Sequence, residues 1–320
     1  GNDLPGLIIA AFLARRGLSV QVIDYELYSD HPEALDPVCF TNTHSKLLRS
    51  ILGRLNVPET TIQNYTNKDS TLQIIFPHSR IDVYNNPLTY FEEIEREFAD
   101  HVDIKRFYEH QARIRHQIDV TELFQQLLPS SWKEKRVFNK FIQEQNINDK
   151  SQEYQSLMSK DSTLAAYFKA QVLLAYQSFV PKPFAYQIAE LFNPGDGEIF
   201  GIHGGIKTIK NMLYDRIRHY DGIIRKKTQI KALLFRNGAF DGVQIDDQQN
   251  AILSKYLIWN GSLEKLGKVL PNKWRFRKLK KFTEGFEFDH HWFTAKFTVD
   301  RKYIPEPMKG NVISIIDPKK

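Results

Sequence analysis

The chain has 320 residues, with 44 Lys+Arg against 38 Asp+Glu and a net charge of +6, a mild excess that tolerates an anionic partner without requiring one. Hydrophobic residues make up 42% and charged residues 26%, which excludes wholesale disorder, and no run approaches the ~18 apolar residues of a spanning helix. A single cysteine, Cys39, excludes a disulfide framework and a thiolate metal cluster and points to a reducing, cytoplasmic compartment.

An apolar helix is expected almost from the first residue, over positions 6–16, with Arg15, Arg16 and then Gly17 as its stop signal. Ser19-Val-Gln-Val-Ile23 follows as a short buried strand ending at Asp24, so the opening reads as the second half of a βαβ unit. The chain stops just after another strand-like run, Val312–Ile316, and further sequence is expected beyond both ends. Thr71–Phe76 and Arg80–Tyr84 flank Pro77-His-Ser79 as a hairpin. Asn86-Pro87 starts a helix with Leu88, Phe91, Ile94 and Phe98 as its apolar positions. From there to about Leu191 the pattern is helical, with Leu123, Leu127, Leu128 and Leu164–Tyr176 as apolar faces. Strands are expected at Ile223–Ile224, Ile230–Phe235, Phe240–Ile245 and Tyr256–Trp259, with Asn237-Gly238 as a hairpin turn. Phe286–Val299 and Val312–Ile316 read as further sheet.

The opening Gly1-Asn-Asp-Leu-Pro-Gly6 has the spacing of G-x-G-x-x-G, with Asp3 at the middle glycine position. Ala10, Ala11 and Ala14 allow close helix–sheet packing, and Asp24 follows Gly6 by 18 positions, as expected for the acid that binds ribose hydroxyls in dinucleotide folds. Such a helix N-terminus presents backbone amides to a pyrophosphate. A packed βαβ unit without a ligand is the other reading of the same residues.

With these segments in hand, the chain resembles the phytoene desaturase (carotenoid and retinol desaturase-like) family of FAD-dependent oxidoreductases, in the amine oxidase-like flavoprotein group. Gly1–Asp24 is similar to its FAD fingerprint and Gln73–Tyr84 to its substrate-domain hairpin. Gly201-Ile-His-Gly-Gly-Ile206 resembles its Gly-Gly turn, and Lys227–Ile230 with Gly242–Ile245 the hairpin beside the adenosine. Tyr256–Asn260 resembles the next strand, and Ile304-Pro-Glu-Pro-Met308 a late substrate-domain loop. The resemblance implies an α/β fold: an FAD/NAD(P)-binding Rossmann-like domain with an interleaved α+β substrate domain carrying a helical insertion. Its expected parts are Rossmann segments at 1–62 and 196–262, a substrate-domain hairpin at 63–85, the insertion at 86–195 and a substrate-domain sheet at 263–320.

The resemblance also implies FAD as cofactor, held by Gly1, Asp3, Leu4, Pro5, Gly6, Asp24, Tyr25, Ile230, Asn260 and Gly261, with His203, Gly204 and Gly205 near flavin and substrate. The substrate would be an apolar, isoprenoid- or carotenoid-like molecule oxidised by hydride transfer to flavin, so no protein catalytic dyad is needed. Two departures stand out: Asp3, and the absence of any glycine from Tyr25 to Cys39, where the family has a glycine pair. They favour the alternative, a non-catalytic relative acting as a binding or scaffolding module.

No metal is expected, since the adjacent His290 and His291 point to opposite faces of a strand. Lys273-Trp-Arg-Phe-Arg-Lys-Leu-Lys-Lys-Phe282 interleaves six basic residues with Trp274, Phe276, Leu279 and Phe282. It reads as a solvated face with buried aromatics or as a peripheral contact with an anionic membrane surface. Nucleic acid is not an expected partner, because no nucleic-acid-binding fold accompanies the cluster.

Overall fold

The computed structural model describes residues 3–24, 42–67, 72–84, 86–98, 103–117, 131–144, 152, 154–156, 162–176, 184–192, 201–225, 228–245, 251–285, 299–306, 308–309 and 311–316. In chain order these carry α1 (Leu4–Arg15), β1 (Gln21–Ile23), α2 (Asn42–Arg54), α3 (Glu59–Tyr65), β2 (Thr66–Asn67), β3 (Leu72–Ile75), β4 (Arg80–Val83) and α4 (Pro87–Phe98). Then come α5 (Asp103–Gln117), α6 (Trp132–Glu144), α7 (Ser162–Tyr176), α8 (Ala185–Leu191), β5 (Gly201–Ile202), α9 (Gly205–His219) and β6 (Ile223–Arg225). The last are β7 (Ile230–Arg236), β8 (Ala239–Ile245), β9 (Ala251–Leu253), α10 (Leu263–Val269), α11 (Arg277–Glu284) and β10 (Asn311–Ser314). The chain is thus a mixture of helices and strands, and it divides into two compact units.

The first unit gathers positions 1–37, 51–65 and 204–297. Its α1 ends where Gly17 takes φ +79, a left-handed conformation open to glycine at no steric cost. The Gly17 and Leu18 amides then donate to the Ala14 and Leu13 carbonyls at 2.9 and 3.2 Å, closing the helix end. Leu7, Ala10, Ala11 and Ala14 form its buried side, and α1 packs on α9 through that helix's Ile209, Leu213 and Ile217. Each helix feeds a strand, and the two strands pair in parallel, Val22 opposite Ile224. A three-stranded antiparallel sheet, β7–β8–β9, completes the unit. Its hairpin turns on Asn237 and Gly238, both at positive φ, as a two-residue turn requires. Leu233, Val243 and Leu270 form its core with Ile23, Ile230, Leu257 and Phe276 packed around them.

The second unit comprises positions 38–50, 66–203 and 298–320. The β3–β4 hairpin closes through the Phe76 amide on the Ser79 carbonyl at 2.8 Å, and β10 adds in parallel on the other side of β3. Asn86 caps α4 by accepting from the Leu88 and Thr89 amides at 2.9 and 3.3 Å. One core joins this sheet to the helices: Ile74 and Ile81 from the strands meet Tyr90, Ile94, Phe107, Phe168 and Phe192. Helix α7 is apolar nearly all round, and Leu164, Tyr167 and Phe168 are completely buried, as suits a central helix.

Two expectations need correction. Leu88 is 75% exposed; the buried stripe of α4 is Tyr90, Ile94 and Phe98, and at 3.6 residues per turn Leu88 falls away from it. Tyr256–Trp259 is not a strand: the Ser254 hydroxyl donates to the Tyr256 carbonyl at 2.9 Å and accepts from its amide at 3.4 Å, holding the main chain locally instead of in a ladder. The third strand is Ala251–Leu253. The strand expected from Phe286, the His290–His291 pair and Leu123, Leu127 and Leu128 lie outside the described residues.

Candidate dinucleotide-binding site

The proposed fingerprint residues share the first unit. Asp3 occupies the N-cap position of α1 with extended backbone, and its carbonyl accepts from the Leu7 amide at 3.0 Å. Its side chain makes no capping hydrogen bond and is exposed. Pro5 has no N–H, so Leu4 and Gly6 supply the first-turn amides that the helix leaves unpaired. Those amides and the helix dipole favour an anion, whereas the Asp3 carboxylate opposes one.

Asp24 follows β1 and is 6% exposed. Its amide donates to the Arg225 carbonyl at 2.8 Å, and its carbonyl accepts from the Thr228 amide at 2.9 Å. Two flanking hydrogen bonds therefore hold Asp24 between the end of β6 and the lead into β7, which starts at Ile230. Strand pairing and the local segment thus bring Asp24 and Ile230 into one neighbourhood.

Asn260 lies in the irregular segment before α10, and both polar atoms of its side-chain amide are buried with no hydrogen-bond partner among the described residues. An orphaned buried amide is costly, and a ligand atom would relieve it. Gly261 lies against the Trp259 indole, which a Cβ at this position would meet at 3.4 Å. Tyr25 and Gly1 lie outside the described residues. The main-chain amides of Leu4 and Gly6, the buried Asp24 and the orphaned Asn260 suit a dinucleotide such as FAD; Asp3 is the residue at odds with it.

His203 is an exposed turn residue in the second unit, and Gly204 opens the segment of the first. Gly204 has φ +79 and is the N-cap of α9; a Cβ there would meet the Thr208 hydroxyl at 2.6 Å. Among the described residues, no group of three or more His, Cys, Asp or Glu side chains could hold a metal ion, and no helix is long and apolar enough to cross a membrane.

The sequence reading missed a buried polar centre in the second unit. Asp82 on β4 is 5% exposed and accepts from the Gln73 amide nitrogen at 2.7 Å and the Tyr84 hydroxyl at 3.2 Å. Lys309 Nζ lies 3.7 Å from Oδ2, the oxygen that Tyr84 meets, and Arg80 Nε lies 3.9 Å from Oδ1, the one that Gln73 meets. Beside it, Glu93 accepts from the Asp82 amide at 2.9 Å. Burial works to raise the Glu93 carboxyl, but hydrogen bonds from Arg96 and that amide outweigh it and hold Glu93 below the usual carboxylate range. In the sequence Asp82 alternates with Ile81 and Val83 and shares its strand face with Arg80, a pattern that marks a polar face but gives no sign of its burial.

No family model matches the sequence, and no curated protein matches it. The architecture is similar to a crystal structure of a Pyrococcus furiosus protein, at 14% identity and a TM-score of 0.50, over 90% of this chain and 64% of that one. It is also similar to a crystal structure of an oxidoreductase from Methanosarcina mazei, at 15% identity and a TM-score of 0.49, over 89% of this chain and 64% of that one. The chain therefore spans less than two thirds of either structure, and at such identity the likeness concerns the fold alone.

Proposed function

We propose that the chain belongs to an FAD-dependent oxidoreductase acting on an apolar, isoprenoid-like molecule. The observation that carries this reading is Asp24: a buried acid just beyond a parallel strand, preceded by a helix whose first-turn amides are uncapped. In this reading Leu4 and Gly6 amides receive the pyrophosphate, Asp24 the adenosine ribose, and Asn260 a further polar atom of the cofactor. When bound, FAD would supply the hydride-accepting chemistry. The protein's part is to hold and orient the cofactor and to exclude water. The substrate class rests on the family resemblance of the sequence.

A second reading, a non-catalytic binding or scaffolding module of the same fold, is favoured by the exposed Asp3 carboxylate at the pyrophosphate position. The visible spectrum of the purified full-length protein, before and after adding FAD, separates the two. Flavin bands that persist through gel filtration support the oxidoreductase, and their absence after FAD addition overturns it in favour of the second reading.

A further inference from the structure

Helix α11 and the turn before it line a concavity of about 390 Å³ on the first unit. Its walls carry Lys273, Trp274, Arg277, Lys280 and Lys281, with Asn272, and Glu284 is the one carboxylate among the described residues of the lining. Arg277, Lys280, Lys281 and Glu284 stand at i, i+3, i+4 and i+7, so a single helical face presents them. The buried Thr283 seats this helix on α10, where a Cβ on Gly267 would come within 2.5 Å of its hydroxyl.

The structure therefore sorts the basic stretch into two groups. Phe276 turns into the core, and Arg275 lies over the Phe235 and Phe276 rings at 5.0 and 4.6 Å. Leu279 and Phe282 stand on the flank of α11 away from the concavity, so they are not part of one apolar anchor with Trp274. Of the other five cations, Lys278 lies outside the lining, while Lys273, Arg277, Lys280 and Lys281 line the concavity and form no ion pair among the described residues. Cations elsewhere in the same unit do pair: Lys268 reaches Glu264 at 2.6 Å and Arg236 reaches Asp241 at 3.1 Å. Trp274 is 89% exposed, and its indole offers a flat apolar wall with one N–H donor.

Four cations around one hollow, with no ion pair among the described residues, repel one another, and a multiply charged anion removes that repulsion. Phosphate oxygens match both the arginine fork and the lysine point charge. We propose that this concavity is a binding site for phosphate esters, presented by a lipid headgroup at a membrane surface or by a soluble phosphorylated molecule. The proposal goes beyond the cofactor reading and does not depend on it.

The test uses the full chain with two probes: inorganic pyrophosphate, followed by tryptophan fluorescence, and co-sedimentation with vesicles of phosphatidylcholine alone or mixed with phosphatidic acid. Each cation removed should weaken binding about fivefold, and replacing all four with Gln should weaken it several-hundred-fold or about that. Lys278→Gln, on the same helix but outside the lining, should cost far less, and Trp274→Phe should abolish the fluorescence response. Binding of phosphatidic acid vesicles that pyrophosphate displaces identifies the headgroup as a source, and binding of pyrophosphate without vesicle binding identifies a soluble ligand; vesicle binding that pyrophosphate leaves intact lies outside the concavity and counts against it. The proposal is overturned if neither probe binds, if neutral vesicles bind equally well, or if Lys278→Gln matches Lys280→Gln. It is also overturned if the fourfold variant loses FAD in parallel, because the cations would then belong to the cofactor site.

Discussion

The hydroxyls of Tyr90 and Tyr167, 77 positions apart in the chain, lie 2.5 Å from each other in the core of the second unit. Tyr108 joins them, its hydroxyl 2.5 Å from that of Tyr90, and all three rings are buried among Phe91, Phe98, Phe107 and Phe168. A phenol can occupy an apolar core only when its hydroxyl finds a partner, and here each tyrosine supplies it for another.

Tyr90→Phe should therefore destabilise the protein by about 1–3 kcal/mol, the cost of stranding buried polar groups. Adding Tyr167→Phe should cost less than the sum of the two single changes, since both partners are then apolar. Denaturant unfolding of the four proteins measures this, and strict additivity would mean that the hydroxyls are not coupled.

Burial first of all pushes the Tyr108 and Tyr167 phenols well above the ordinary value of 10.0, raises Tyr90, and raises Tyr154 to about 12. Above pH 10.0 the unfolded chain releases these protons while the folded chain retains them, so stability falls as pH rises. The contribution is fully present below that pH. Melting temperature should drop steeply on the alkaline side, and the slope should flatten in a variant with Phe at positions 90, 108 and 167. An unchanged slope would remove these phenols from the account.

Asp24→Ala should weaken FAD binding by about 1.5–3 kcal/mol, the worth of hydrogen bonds to a charged group. Titration of the full-length protein with FAD reads it directly. Unchanged affinity would show that Asp24 does not meet the ribose.

Asp3→Gly should strengthen FAD binding. The Asp3 side chain makes no capping bond, so little helix stability is lost with it, and the change removes a carboxylate whose repulsion of a phosphate ~4 Å away is about 1 kcal/mol in water and about 4 kcal/mol at an effective dielectric near 20. A fall in affinity would assign Asp3 a positive role at the helix N-terminus.

Gly242→Ala should disrupt the β7–β8–β9 sheet. Gly242 has φ +152, and a Cβ there would lie 2.2 Å from the Ile252 carbonyl oxygen, a main-chain atom that cannot swing aside. Strain of about 1–3 kcal/mol is expected even if β9 moves away. Thermal unfolding measures the loss, and a melting temperature equal to that of the original protein would contradict the packing.

Where a short stretch of chain decides the outcome, the residues alone were enough. The Gly17 helix stop, the Asn86 cap, the Asn237-Gly238 turn and the β3–β4 hairpin each depend on φ preferences and hydrogen bonds reaching a few positions. The placement of Asp24 beyond β1 was legible for the same reason. What required the tertiary structure involved partners far apart in the chain. The pairing of β1 with β6 joins positions 202 residues apart, and the tyrosine cluster draws on three helices. The buried Asp82 acquires Lys309 only because β10 comes to lie beside β3. The basic stretch shows the difference within ten residues: composition names its six cations, but the seating of Thr283 on α10 decides which of them face one hollow. Sequence periodicity reports local geometry, whereas burial of a polar or charged group is set by whichever distant segment packs against it.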